Sequence, residues 1–152
     1  MNMRNFDALI DKLREDFPGV RFEEAEVWRS GDRVVGFVAG DENGELLLLH
    51  ELAHIVLRHE SYTRDVELVR MEMEAWEEVK STLAPRYGVE FKAELAESQL
   101  DTYREWLDKR SRCPKCNYTG WQVNSAKYQC PLCRDEWRVG NSVARQVYRQ
   151  KS

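Results

Sequence analysis

Apolar residues recur at helical intervals from Phe6 to Phe17, where Phe6, Leu9, Ile10, Leu13 and Phe17 share one side of a 3.6-residue turn and Pro18-Gly19 stops the run. That spacing predicts an amphipathic helix. Val20 to Trp28 and Arg33 to Ala39 read as strands, with Ser30-Gly31-Asp32 as the turn between them and Asp41-Glu42-Asn43-Gly44 as a second turn after them. They predict a small antiparallel sheet. Helical period returns over Glu45 to His59 and again over Arg64 to Leu83, the latter with Ser61 or Thr63 as N-cap. Glu90 to Lys109, rich in Ala, Leu, Glu and Lys, predicts another helix, and the tail Asn141 to Ser152, with Val143 and Val147 one turn apart, reads as a short basic helix. No internal repeat or low-complexity segment interrupts the pattern. The expected class is α+β: a small antiparallel sheet packed on two central helices, then a helix and a cysteine-bearing C-terminal module.

The first central helix carries His50-Glu51-Leu52-Ala53-His54. This spacing puts two imidazoles one turn apart, so both can reach one zinc ion while the intervening Glu51 faces its open coordination position. With His50 at 0°, His54 lies at about 40° and Glu51 at about 100°, whereas Leu48, Leu49, Leu52, Ala53, Ile55 and Val56 fall between about 140° and 300°. The phase predicts a helix that buries one face and offers its ligands on the other. The bland alternative is a histidine pair that merely decorates a helix.

A catalytic zinc on such a helix wants a third protein ligand, and phase separates the downstream candidates. Around Glu72 lie Val69, Trp76, Leu83, Val79, Leu68 and Ala75, within about 60° on either side, so this carboxylate sits amid the stripe that must face the core. Glu67, Glu74, Glu77 and Glu78 fall on the solvent side. A carboxylate buried on an apolar face costs several kcal/mol unless a cation meets it. Zinc held by His50 and His54 is one such cation, and an arginine is the other. Asp65 shares the phase of Glu72 two turns earlier, as a support for the site or simply a helix N-terminal acid. His59 is about 140° from His54 on a straight helix, with no Gly between them to turn the chain back, and is therefore read as a helix-end histidine near C-terminal carbonyls rather than a ligand.

Cys113-Pro-Lys-Cys116, thirteen residues, then Cys130-Pro-Leu-Cys133 is a zinc-ribbon spacing. Two such turns supply four thiolates and a closed tetrahedral site, so a metal there is structural; a redox role for the pairs is the alternative. Charge then divides the chain. Its net −4 is the sum of −12 over Met1 to Asp108 (13 Lys+Arg, 25 Asp+Glu) and +8 from Lys109 onward (10 against 2). The expected domains are accordingly an acidic body, residues 1–108, and a basic ribbon, residues 109–152. In the ribbon, Tyr118, Trp121, Tyr128 and Trp137 are interleaved with Lys115, Lys127, Arg134 and Arg138, which suits phosphate contacts and base stacking on nucleic acid. Equally, the aromatics could be the ribbon's own small core and its charges could dock on an acidic protein surface. The longest apolar run is Leu46 to Leu49, and the N-terminus has no signal-peptide h-region, so the expectation is a cytoplasmic protein without membrane partners.

Taken together, His50-Glu-Leu-Ala-His-Ile-Val-Leu-Arg-His59 followed by Glu72-Met-Glu-Ala75 resembles the gluzincin metallopeptidases, notably the minigluzincins, the HtpX-like peptidases and the ImmA/IrrE-type proteases. The resemblance spans about Val20 to Leu83. It implies a zincin-type fold in which Glu72 is the third zinc ligand, and it departs from the family where Trp76 replaces the acidic or Asn residue that usually follows the Ala. It implies metal-assisted peptide hydrolysis, with Glu51 taking a proton from water and passing it to the leaving amine. Tyr62, Tyr87 and Tyr103 are candidates to steady the oxyanion, and Arg33 to Ala39 the strand along which an extended peptide would add. The pairing of an HExxH domain with a ribbon also resembles the SprT/Spartan proteases in architecture. The expectation is thus a zinc metallopeptidase with two Zn2+ per chain, one catalytic and one structural, recruited by its ribbon to nucleic acid or a nucleic-acid-bound protein. The alternative is a non-catalytic, zinc-stabilised regulator or adaptor.

Overall fold

The computed structural model describes residues 3–140, so the helix expected over 141–152 lies outside them. Mixed α and β elements pack into two compact units. Among the described residues, one holds residues 3–60 with Met73–Ala93, and the other holds Ser61–Glu72 with residues 94–140.

In the first unit, α1 (Met3–Asp16) buries Phe6, Leu9, Ile10 and Leu13, the stripe its periodicity predicts. It ends where Pro18 can no longer donate a backbone hydrogen bond. Three short strands follow, β1 (Arg21–Glu24), β2 (Arg29–Gly31) and β3 (Val34–Phe37), in the order β1-β3-β2. The sheet departs from the antiparallel expectation. β2 and β3 form an antiparallel hairpin, but β1 pairs with β3 in parallel. The chain reverses across Ala25 to Trp28, and β1 lies on the far side of β3 from β2. Asp32 and Arg33, at φ 52° and 61°, make the two-residue turn of the hairpin, which matches the right-handed twist of its strands. With a neighbour on each side, β3 is the central strand, so Arg33 to Ala39 is not the free edge expected for peptide addition. Gly36 is required in β3 because its cross-strand partner Arg29 lies over it: a Cβ there would come within 2.6 Å of the Arg29 Cγ.

Helix α2 (Gly44–Val56) is buried at every position from Leu46 to His54, not on one face alone. The reason is legible in the helical phase. Leu46 and Leu47 fall at about 320° and 60° on the scale above, flanking the histidines, so the helix is apolar nearly all round and is enclosed.

Helix α3 (Asp65–Glu78), a wide π-turn (Val79–Leu83) and α4 (Ala84–Tyr87) run on without a break. Pro85 has no N–H to return to Ser81, and in a regular helix its ring would press on that carbonyl. The wide turn just before it removes the clash. Gly88, at φ 65°, ends the helix.

In the second unit, α5 (Ala93–Ser111) packs Tyr103 and Trp106 on Leu68 and Val69 of α3, with Tyr62, Met71 and Leu107 around them. Three antiparallel strands complete it: β4 (Trp121–Asn124), β5 (Lys127–Gln129) and β6 (Glu136–Arg138). Among the described residues no helix is long and apolar enough to cross a membrane.

Candidate metal centres

Among the described residues, two groups of side chains could each hold a metal ion. The first is His50 and His54 of α2 with Glu72 of α3, whose ligand atoms all lie within 4.8 Å of one another. All three are buried, Glu72 at 3% exposure, amid the apolar neighbours that its phase predicts. Glu51 is buried beside the histidines at 2%, whereas Glu74 and Glu77 are exposed and Glu67 and Glu78 half-buried. Trp76, one turn after Glu72, stacks on the His50 ring with centroids 4.2 Å apart and planes 18° apart. The residue that departs from the family pattern therefore holds His50 by its face.

His59 is where phase reasoning fails. The helix ends at Val56, and Arg58 takes the left-handed conformation, φ 60°. The Arg58 N–H returns to the Ile55 carbonyl at 3.0 Å and the His59 N–H to the His54 carbonyl at 2.8 Å, a Schellman closure with Arg where Gly is usual. This fold-back sets the His59 Nδ1 3.0 Å from the His54 Nδ1, and the His59 Nε2 3.0 Å from a Glu74 carboxylate oxygen. His59 is not among the three converging ligand atoms, as expected, but neither is it a residue that only faces helix carbonyls. The sequence carries no glycine to signal such a turn.

The tyrosines separate by position. Tyr87 donates its hydroxyl to Asp16 at 2.7 Å, which with burial pushes its phenol up to about 12. Tyr103 and Tyr62 belong to the cluster around Leu68 and Trp106.

The second group is Cys113, Cys116, Cys130 and Cys133, all free cysteines. Two equivalent turns build it, seventeen residues apart. In each, the N–H four residues on donates to the carbonyl of the first cysteine, whose own N–H donates to the carbonyl five residues on: Asn117 donates to the Cys113 carbonyl and Cys113 to that of Tyr118, as Arg134 does to Cys130 and Cys130 to Asp135. Asn117 and Arg134 both adopt positive φ, 68° and 70°, to close these turns. Sulfurs face each other at 3.6 Å (Cys113 and Cys133) and 3.4 Å (Cys116 and Cys130). Burial pushes the Cys130 thiol up, but the N–H groups of Cys133 and Leu132 and the sulfurs of Cys116 and Cys133 outweigh it and bring it down to about 7. Cys113 is lowered in the same way against its burial, by Cys116 and Lys115 N–H groups.

A buried polar network ties the cysteine module to the start of α3. Asp65 accepts Arg110 Nε at 2.8 Å and the Tyr128 hydroxyl at 2.7 Å, while Gln122 Oε1 accepts the Asp65 N–H at 2.8 Å and so caps the helix. Arg110 and Asp65 form a buried ion pair, their side chains 9% and 4% exposed. Tyr128 also stacks on Trp137, whose Nε1 donates to the Arg110 carbonyl. Of the aromatics read as base-stacking, these two are thus structural. Tyr118 and Trp121 are exposed, at 52% and 56%. Lys115, Arg134 and Arg138 are exposed as well, and Lys127 pairs with Glu136 at 3.2 Å. No family model, curated protein or solved structure matches the chain, so the gluzincin resemblance rests on the residues themselves.

Proposed function

We propose that the chain is a zinc-dependent peptidase. The observation that carries this reading is the buried convergence of His50, His54 and Glu72, with Glu51, next to His50 in the sequence, buried as well. Zinc fits both donor sets. Two imidazoles and a carboxylate leave a coordination position open for chemistry, whereas four thiolates close it. With zinc–sulfur bonds of about 2.3 Å, a tetrahedral site spaces its thiolates about 3.8 Å apart. The sulfur separations of 3.6 and 3.4 Å are near that, and far beyond the roughly 2.05 Å of a disulfide.

Bound by His50, His54 and Glu72, zinc would supply a Lewis acid for a peptide carbonyl and acidify a water molecule. Glu51 would accept a proton from the attacking water and return it to the departing amine nitrogen, acting as base and then acid. Trp76 stacks on the face of His50, and both histidines are buried. Purified chain should cleave an unstructured protein or a quenched peptide library. Glu51→Gln should abolish cleavage and keep both metals. Metal-loaded protein without cleavage, or unchanged cleavage by Glu51→Gln, would favour the adaptor reading.

In this proposal the ribbon delivers the peptidase to nucleic acid, in a reducing compartment where four thiols persist. Its support is the pairing of the exposed rings Tyr118 and Trp121 with the exposed cations Lys115, Arg134 and Arg138. Single-stranded DNA should bind with an affinity that falls as salt rises and that Trp121→Ala weakens; binding indifferent to salt would count against it.

A further inference from the structure

We infer that His59 and Glu74 are positioning residues for the metal centre, fixing the tautomer in which His54 presents its Nε2 lone pair to the ion. The inference rests on the proposed His50–His54–Glu72 site. Its geometry is a chain of two contacts, His54 Nδ1 to His59 Nδ1 at 3.0 Å and His59 Nε2 to Glu74 Oε1 at 3.0 Å.

With His59 neutral, donor and acceptor roles along this chain follow from its outer end. An ionised carboxylate can only accept, so the proton between His59 and Glu74 belongs to the His59 Nε2. A neutral His59 then has a bare Nδ1, which can only accept, and His54 must donate its Nδ1–H. That leaves the His54 Nε2 as a lone pair, the form a metal requires. The opposite tautomer of His54 would set two lone pairs against each other at 3.0 Å and cap with hydrogen the nitrogen that should coordinate.

Carboxylate–histidine–metal arrangements do this with one partner. Here a second imidazole is interposed, and the left-handed Arg58 makes it possible by folding His59 back over the end of α2. Glu74 sits on the solvent side of α3, with its side chain 52% exposed, yet the His59 side chain beneath it is only 9% exposed. A residue that helical phase sets outside the site thus acts on it through another side chain.

The test measures metal affinity in the full chain, with the four-cysteine centre as an internal reference. Co2+ gives intense thiolate charge-transfer bands at the cysteines and only weaker d–d bands at the histidine site, so the two are read separately. His59→Phe, which offers no acceptor, should weaken the histidine site about ten- to a hundred-fold, shift its d–d bands and leave the thiolate site unchanged. His59→Gln, whose amide oxygen can take the His54 Nδ1–H, should recover part of that loss. Glu74→Ala, a change at an exposed position that leaves folding intact, should weaken the same site in the same direction. Wild-type affinity in both His59→Phe and Glu74→Ala, or no recovery in His59→Gln, would overturn the inference alone. One Co2+ per wild-type chain, bound at the cysteines, would overturn the underlying metal centre too.

Discussion

Arg110→Ala tests whether the buried ion pair, rather than the surface charge around it, holds the second unit together. The guanidinium donates Nε to Asp65 at 2.8 Å and Nη1 to the Gly140 carbonyl at 2.6 Å, and lies over the Trp106 ring at 4.9 Å. Side-chain exposure is 9% for Arg110 and 4% for Asp65, so truncation strands a carboxylate where water does not reach it. Removing one partner of such a pair costs about 3–5 kcal/mol. Tyr128→Phe deletes a single hydrogen bond to the same carboxylate and leaves the ring on Trp137, which should cost about 1.5–3 kcal/mol. Arg104→Ala, by contrast, removes an exposed cation shared by Glu97 and Asp101 and should cost under about 1 kcal/mol. The double variant Asp65→Asn/Arg110→Met buries no charge and should regain most of what Arg110→Ala loses. Urea unfolding at fixed excess zinc gives the four values, since ligand concentration would otherwise shift them. A loss under about 1 kcal/mol for Arg110→Ala, or a double variant no more stable than it, refutes the reasoning.

Three further outcomes follow from the same geometry. Glu72→Ala should lower the bound metal from two ions per chain to one, measured by elemental analysis of purified protein; two retained ions would remove Glu72 from the ligand set. Arg58→Gly should stabilise the fold by roughly 0.5–1 kcal/mol, because the left-handed φ costs a side-chain-bearing residue about 1–2 kcal/mol and glycine gives back part of that in chain entropy. A thermal shift in the opposite direction would show that Arg58 does more than turn the chain. Tyr87, raised from 10.0 to about 12 by burial and by its bond to Asp16, keeps its proton in the folded state after the unfolded chain has lost it. Its contribution is therefore complete below about pH 10 and is lost as pH rises from there toward 12. Unfolding free energies measured from pH 9 to 12 should fall more steeply for wild type than for Tyr87→Phe, and parallel curves would contradict this.

Local periodicity reveals those elements whose partners are close in sequence. Helix α1 needs only its own stripe of Phe6, Leu9, Ile10 and Leu13, and Glu72 betrays itself by standing among Val69, Trp76 and Val79. Strand order is another matter. Whether β1 lies beside β2 or beyond β3 depends on the path of Ala25 to Trp28, which no alternation of side chains encodes. Enclosure of α2 was legible in Leu46 and Leu47, provided all four leucines are placed on the helical wheel. The seat of His59 was not, because an arginine at positive φ gives no compositional sign. In the cysteine module, spacing announces the ligand turns, while the roles of Tyr128 and Trp137 depend on Asp65 and Arg110, contacts made far along the chain.

Complete enclosure of α2 has a kinetic consequence. Backbone amides on a helix that meets solvent along one side can exchange with deuterium through small local openings, but those from Leu46 to His54 have no such route. Their exchange should wait for cooperative opening of the whole first unit, making the histidine-bearing peptide the slowest to take up label and a built-in measure of that unit's global stability.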